Sequence, residues 1–179
     1  MIRVGLRDTG ALFAARRAPV AALGATAATV VVVDEISKAL ALQLLAELDA
    51  APTRFLQLGV LHNGDLAWSL SAGAGSGAVS AVAALLILGL SLAVCGALAS
   101  HDRSAPAALG LIVGAGIANA TDALTAPDGV VDWIAVGGAG GIVMNLADVA
   151  VLVGVALCGR TVGRLAVAIR RNGWGTRTG

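Results

Sequence analysis

The chain has 179 residues and a mass of 17.5 kDa; 58% of its residues are hydrophobic, only 13% are charged, and its mean hydropathy is +0.88. A water-soluble domain carries about 25% charged residues, so this chain has too few polar side chains to cover a water-facing surface. The same numbers exclude disorder. A net charge of +1 and 3% aromatic residues, with no Tyr, give nucleic acid neither a basic footprint nor a stacking surface.

The length fits one polytopic domain of about four membrane spans. The first apolar segment, about 19–46, starts at Pro19, is interrupted by Asp34, Glu35 and Lys38, and resumes as Ala39–Ala46. No small-residue cleavage site precedes a polar mature region, which argues against a removed signal peptide. Residues 50–77 are expected outside the membrane. Within them the alternation of Phe55–Leu61 predicts a short strand, Leu66–Leu70 its partner, and His62-Asn63-Gly64-Asp65 the turn between them. Gly73, Gly75 and Gly77 read as a linker and not a phosphate loop, because no Lys-Ser/Thr follows. The second span, 78–99, has no charge at all and is long enough at about 1.5 Å per residue to cross about 30 Å of hydrocarbon.

The third span, 107–124, is apolar up to Asn119 and Asp122, and its Gly110 and Gly114 have the spacing of a close helix contact. A second exterior segment, about 125–141, carries Pro127, Gly129, Asp132 and Trp133, the Trp as an interfacial anchor. The fourth span is expected at 134–158. It places Asp148 a few turns into a helix and assigns Gly137, Gly138, Gly140 and Gly141 to helix packing. Residues 159–179 form a tail. Ten of the twelve Lys and Arg lie at the N-terminus, in the link between spans two and three, and in that tail. By the positive-inside rule these parts are cytoplasmic, which requires an even number of spans. Cys95 and Cys158 sit in apolar runs and read as small buried hydrophobes. With only two His, and no Cys or His pair at ligand spacing, a transition-metal site is not expected.

Ionisable groups inside a span are costly and mark sites. Asp132 and Asp148 are the main candidates: a loop folding back would bring them together near the outer surface. Two carboxylates in contact share one proton, and such a pair suits peptide hydrolysis. From spacing alone a proton or cation relay, or a structural polar network between helices, is the weightier reading.

Five blocks in order resemble the lipoprotein signal peptidase (signal peptidase II) family: Asp34-Glu35-Ile36-Ser37-Lys38, the segment from Asn63 to Leu70, Gly116–Asp122, Gly129-Val130-Val131-Asp132-Trp133 and Met144–Ala150. The resemblance implies an all-α membrane protein of four helices with a small extracytoplasmic β element. It also implies an aspartic endopeptidase of the plasma membrane that works without metal or organic cofactor. That enzyme would remove signal peptides from diacylglyceryl-modified prolipoproteins, cutting before the lipidated Cys near the extracytoplasmic face. Its partners would be those precursors and membrane lipids. Asp132 and Asp148 would be the catalytic acids. Asn119, Asp122, Asn145 and Asn63 would frame the site or bind substrate. Asp34 and Lys38, at i and i+4, would pair and hold the first span against it.

Three departures stand out. Ala123 replaces the Arg that usually follows the acid aligned with Asp122, which removes that acid's expected partner. Asp65 takes the place of a usual Gly. The stretch 125–129 is one residue longer. These leave a second reading, a non-catalytic descendant that binds lipoproteins or lipids; the intramembrane acids alone also fit a small proton-coupled transporter.

Overall fold

The computed structural model describes residues 6–45, 55–63, 76–126, 128–138 and 141–174. Four helices alternate with three short strands: α1 (Leu6–Leu44), β1 (Leu56–Asn63), α2 (Ser76–Ala99), α3 (Ala105–Thr125), β2 (Val130–Val136), β3 (Ile142–Met144) and α4 (Leu146–Trp174). Each helix contains a stretch long and apolar enough to cross a membrane: Arg17–Leu44, Ala78–Ala99, Ala105–Thr125 and Leu146–Arg171. The chain is a multi-pass membrane protein.

The helix α3 is the centre of the bundle and packs on α1, α2 and α4. Half of its apolar window is buried, against 17% in each of the others, so α1, α2 and α4 present most of their Leu, Val and Ile to lipid. Small residues permit the central position. A Cβ on Gly110 would lie 2.6 Å from the Leu23 carbonyl oxygen, and one on Gly114 2.5 Å from that of Ala27. Gly154 of α4 is equally tight against Ile112 and Ala108 of α3. Lipid offers no hydrophobic drive for helix association, so close backbone approach supplies the packing energy. Thr26, Thr29, Thr121 and Thr125 satisfy their hydroxyls on the carbonyls four residues back.

Two apolar clusters fill the bundle. One joins Leu23, Cys95 and Leu109 with Cys158 against them; the other joins Ala115, Ala118 and Ala147 with Val30, Val31 and Val151. Both cysteines are free thiols. At the end of the bundle holding the α2–α3 loop, Asp102 ties the loop to α4. It accepts from the Ser104 hydroxyl (2.7 Å) and amide (2.9 Å) and from buried Thr161 (3.0 Å), with Arg160 and Arg164 beside it. These hydrogen bonds, the Ser104 hydroxyl's first, hold its carboxyl down at about 2.

The strands form one antiparallel sheet in the order β1-β2-β3, and here the structure departs from the sequence reading. The strand predicted at 55–61 exists, but it runs through His62 and Asn63, which were expected in a turn. It pairs with β2, with Leu58 opposite Ile134 and Leu61 opposite Asp132 across a bulge. The expected partner 66–70 lies outside the described residues, as do Gly64 and Asp65. Residues 134–138 and 141–144, expected to open the fourth span, are not helical: 134–136 belong to β2 and Ile142–Met144 is β3. Val130–Val136 is a β-branched and aromatic run, which fits a pleated surface, and hydropathy alone does not separate such a run from a helix. Gly137 and Gly138 have φ of +101° and +68°, the left-handed region that glycine adopts without strain. They turn the chain between β2 and β3 and are not helix-packing residues. The fourth helix starts at Leu146 and continues to Trp174, so much of the expected tail is helical. The first helix likewise starts at Leu6, upstream of Pro19.

Gly114→Val should push α1 off α3. We expect a loss of about 1–3 kcal/mol, read as a lower melting midpoint in detergent; an unchanged midpoint would contradict the close α1–α3 contact.

Candidate active site

The polar residues singled out in the sequence converge where α1 ends, α3 ends and α4 begins, beside the sheet. The network starts in α1. Asp34 and Lys38 are one turn apart, so both point at α3, and both are buried, at 0% and 3% exposure. The Lys38 ammonium lies 2.5 Å from Asp34 Oδ2 and 2.6 Å from Asp122 Oδ2 of α3, and donates to Asn119 Oδ1 at 3.3 Å. Asp122 therefore has a cationic partner despite Ala123. The expectation that it lacked one is corrected: the cation comes from another helix, 84 residues away in sequence.

The second oxygen of Asp34 reaches further. Its Oδ1 accepts the backbone N–H of Ala147 at 2.8 Å, one of the donors that the first turn of α4 cannot satisfy internally. The start of α4 is otherwise closed by its own residues. Asn145 Oδ1 accepts the Asp148 N–H at 3.0 Å, and Asp148 Oδ2 accepts the Asn145 N–H at 3.1 Å. This is a reciprocal capping box. Asp148 is thus the third residue of α4 and not several turns inside it. The signal was present in the sequence: Asn-x-x-Asp ahead of an apolar run is a helix start.

Asp132 comes from β2. Its side chain leaves the same face of the sheet as Asn63, diagonally across on β1, and Asn63 Nδ2 donates to Asp132 Oδ2 at 3.2 Å. Asn145 Nδ2 donates to Asp132 Oδ1 at 2.9 Å. Asn145 is fully buried and so joins both acids, one through its amide and the other through its backbone. Its amide also donates to Asn119 Oδ1 (3.1 Å), while Asn119 Nδ2 donates to Asp148 Oδ1 at 3.0 Å. All eight side chains expected at a site — Asp34, Lys38, Asn63, Asn119, Asp122, Asp132, Asn145 and Asp148 — belong to one connected hydrogen-bond network.

Burial at 3% exposure pushes the Asp132 carboxyl up to about 6, and the neighbouring negative charge of Asp148 adds to the rise. The hydrogen bonds from Asn63 and Asn145 and the charge of Lys38 oppose it. A buried acid and a half-buried one within electrostatic reach, both held by amide donors, can carry one proton between them and act on a water and a carbonyl. Among the described residues no group of three or more His, Cys, Asp or Glu is placed to hold a metal ion.

Lys38→Met would leave two buried carboxylates without their cation. We expect a loss of about 3–5 kcal/mol, largely restored when Asp34→Asn and Asp122→Asn are added. Thermal melting in detergent reads both; a single variant as stable as wild type would refute the central role of the ammonium.

The sequence profile of the family signal peptidase (SPase) II matches residues 26–162. No curated protein sequence matches the chain. Two solved structures share its fold, each described as a bacterial membrane enzyme determined by the in meso method, one at 2.3 Å and the other at 1.9 Å resolution. The first is 18% identical, with a TM-score of 0.59 over 86% of this chain and 90% of its own. The second is 21% identical, with a TM-score of 0.61 over 76% of this chain and 89% of its own.

Proposed function

The chain belongs to the signal peptidase II family, a family of membrane peptidases acting on lipoprotein precursors, and on that premise we propose that it is an aspartic endopeptidase cleaving the signal peptide of lipid-modified precursors just before the lipidated Cys. The observation that carries this reading is Asn145, which holds Asp132 and Asp148 to one point.

The two acids take different roles. Asp148 lies in the first turn of α4, where the helix dipole favours negative charge, and accepts N–H groups from Asn119 and Asn145. It is the base. Asp132, raised to about 6, keeps the proton. Asp148 takes a proton from a water as that oxygen attacks the scissile carbonyl carbon, while Asp132 gives its proton to the carbonyl oxygen. In the resulting diol Asp148 passes its proton to the amide nitrogen, the C–N bond breaks, and Asp132 recovers a proton from the diol hydroxyl. The enzyme ends as it began, with one proton on the pair. Asn63 steadies the Asp132 carboxyl from the sheet side, and the buried Asp34–Lys38–Asp122 group fixes α1, α3 and the start of α4 around it.

The charge pattern supports a placement in the membrane: the arginine-rich end is cytoplasmic, with both termini, and the acidic end faces outward. There the scissile bond meets water while the precursor's lipid stays in the bilayer.

Asp132→Asn and Asp148→Asn are each expected to lower cleavage of a lipidated precursor peptide by at least about a thousandfold, with melting midpoints near wild type. Cleavage by either variant at the wild-type rate would overturn the pair. Asp132 must be protonated, so kcat/KM should fall as pH rises through about 6. The limb in kcat should lie higher, because bound substrate excludes more water from the carboxyl. A kcat/KM that climbs steadily from pH 5 to 8 would reverse the assignment of acid and base.

A further inference from the structure

We propose that the arginine-lined groove on α4, at the end of the bundle opposite the acidic site, binds one anionic phospholipid through its phosphate. The groove has a volume of about 560 Å³ and is lined, among the described residues, by Gly163, Arg164, Val167, Ala168 and Arg171. Positions 163, 164, 167, 168 and 171 recur at three- and four-residue spacing and form one stripe along the helix. A methyl group added at Gly163 would meet nothing within 4 Å, so the space above the apolar floor is open.

Charge and depth select the occupant. This end of the bundle sets Arg103, Arg160, Arg164, Arg170 and Arg171 against two acids among the described residues, Asp8 and Asp102. Asp102 engages Arg160 at 3.6 Å and one nitrogen of Arg164 at 3.4 Å. The other donors of Arg164 remain, and Arg171 has no acidic partner among the described residues. Each guanidinium is a planar fork of N–H donors that phosphate oxygens accept in pairs. Counted from Leu146, about 20 residues cross the hydrocarbon, so the stripe straddles the boundary between acyl chains and headgroups. Gly163 and Arg164 sit at the inner edge of the hydrocarbon, where the long Arg164 side chain can reach the interface, and Val167, Ala168 and Arg171 lie at headgroup depth. A phospholipid offers a phosphate to Arg164 and Arg171 and the top of an acyl chain to the apolar floor between them. A zwitterionic headgroup adds a cation that this cluster repels, so the anionic class is preferred.

The test is lipid retention by the full chain, purified in a neutral detergent and mixed with phosphatidylglycerol or phosphatidylcholine, read by native mass spectrometry. Wild type should hold one phosphatidylglycerol at least tenfold more tightly than phosphatidylcholine. Arg164→Gln with Arg171→Gln should abolish that preference. Gly163→Phe, which fills the groove and keeps every charge, should weaken retention to a similar extent. Arg103→Gln with Arg170→Gln removes the same charge outside the groove and should leave retention within twofold of wild type. Equal loss in both double variants would reduce the effect to diffuse attraction and overturn the site. So would equal retention of the two lipids, or displacement of the lipid by millimolar inorganic phosphate. Precursor cleavage in detergent, measured on each variant, is expected to be unchanged, so a failure here leaves the peptidase assignment standing.

Discussion

One buried ammonium organises this molecule. Lys38 sits between Asp34 and Asp122 in a region where charge is expensive to bury, and each of the three is tolerable only because the others are there. The consequence is geometric. Asp34 belongs to α1 and Asp122 to α3, so the ion group fixes the axial register of those helices. The glycines at 110 and 114 fix their distance. Asp34 then reaches α4 through the Ala147 amide, so a third helix is set against the first two by the same carboxylate.

The proposed catalytic pair is built on that frame from two unlike elements. Asp148 is placed by a helix start and Asp132 by a strand. A helix terminus is a rigid platform for an acid because its free N–H groups demand an acceptor. A strand is a rigid platform because pairing with β1 dictates which face Asp132 leaves. Asn145 is the hinge between the two: it caps the helix, touches the strand acid and contacts Asn119. Every amide in this cluster is committed to a carboxylate or another amide, and such fully connected polar networks keep their geometry in a low-dielectric interior.

The asymmetry between the two ends of the bundle follows from the same electrostatics. Carboxylates dominate one end and guanidinium groups the other, and at each end a buried or half-buried residue of opposite charge gathers several partners, Lys38 among acids and Asp102 among arginines. Each of those residues ties α3, or the loop that enters it, to a neighbouring helix.

Much of this was legible in the chain. Composition gave the membrane class, long apolar runs gave four helices, and the spacing of Asp34 with Lys38 gave a pair on one face. The ordered motifs gave the family and the polar residues that meet in one network, because such residues stand out in an apolar sequence. What the chain could not display were partnerships between segments. Hydropathy does not distinguish the β-branched run 130–136 from the start of a span; only pairing with β1 makes it a strand. Asp122 lacked a visible partner because its neighbour is Ala123, and the cation that neutralises it lies on α1. The capping box at Asn145 and Asp148 was written locally but was masked by the apolar residues before it. Sequence determines which residues must be buried and which of them cannot be buried alone. Tertiary structure decides who compensates whom, because a buried charge accepts a counterion from wherever the fold brings one within hydrogen-bond reach.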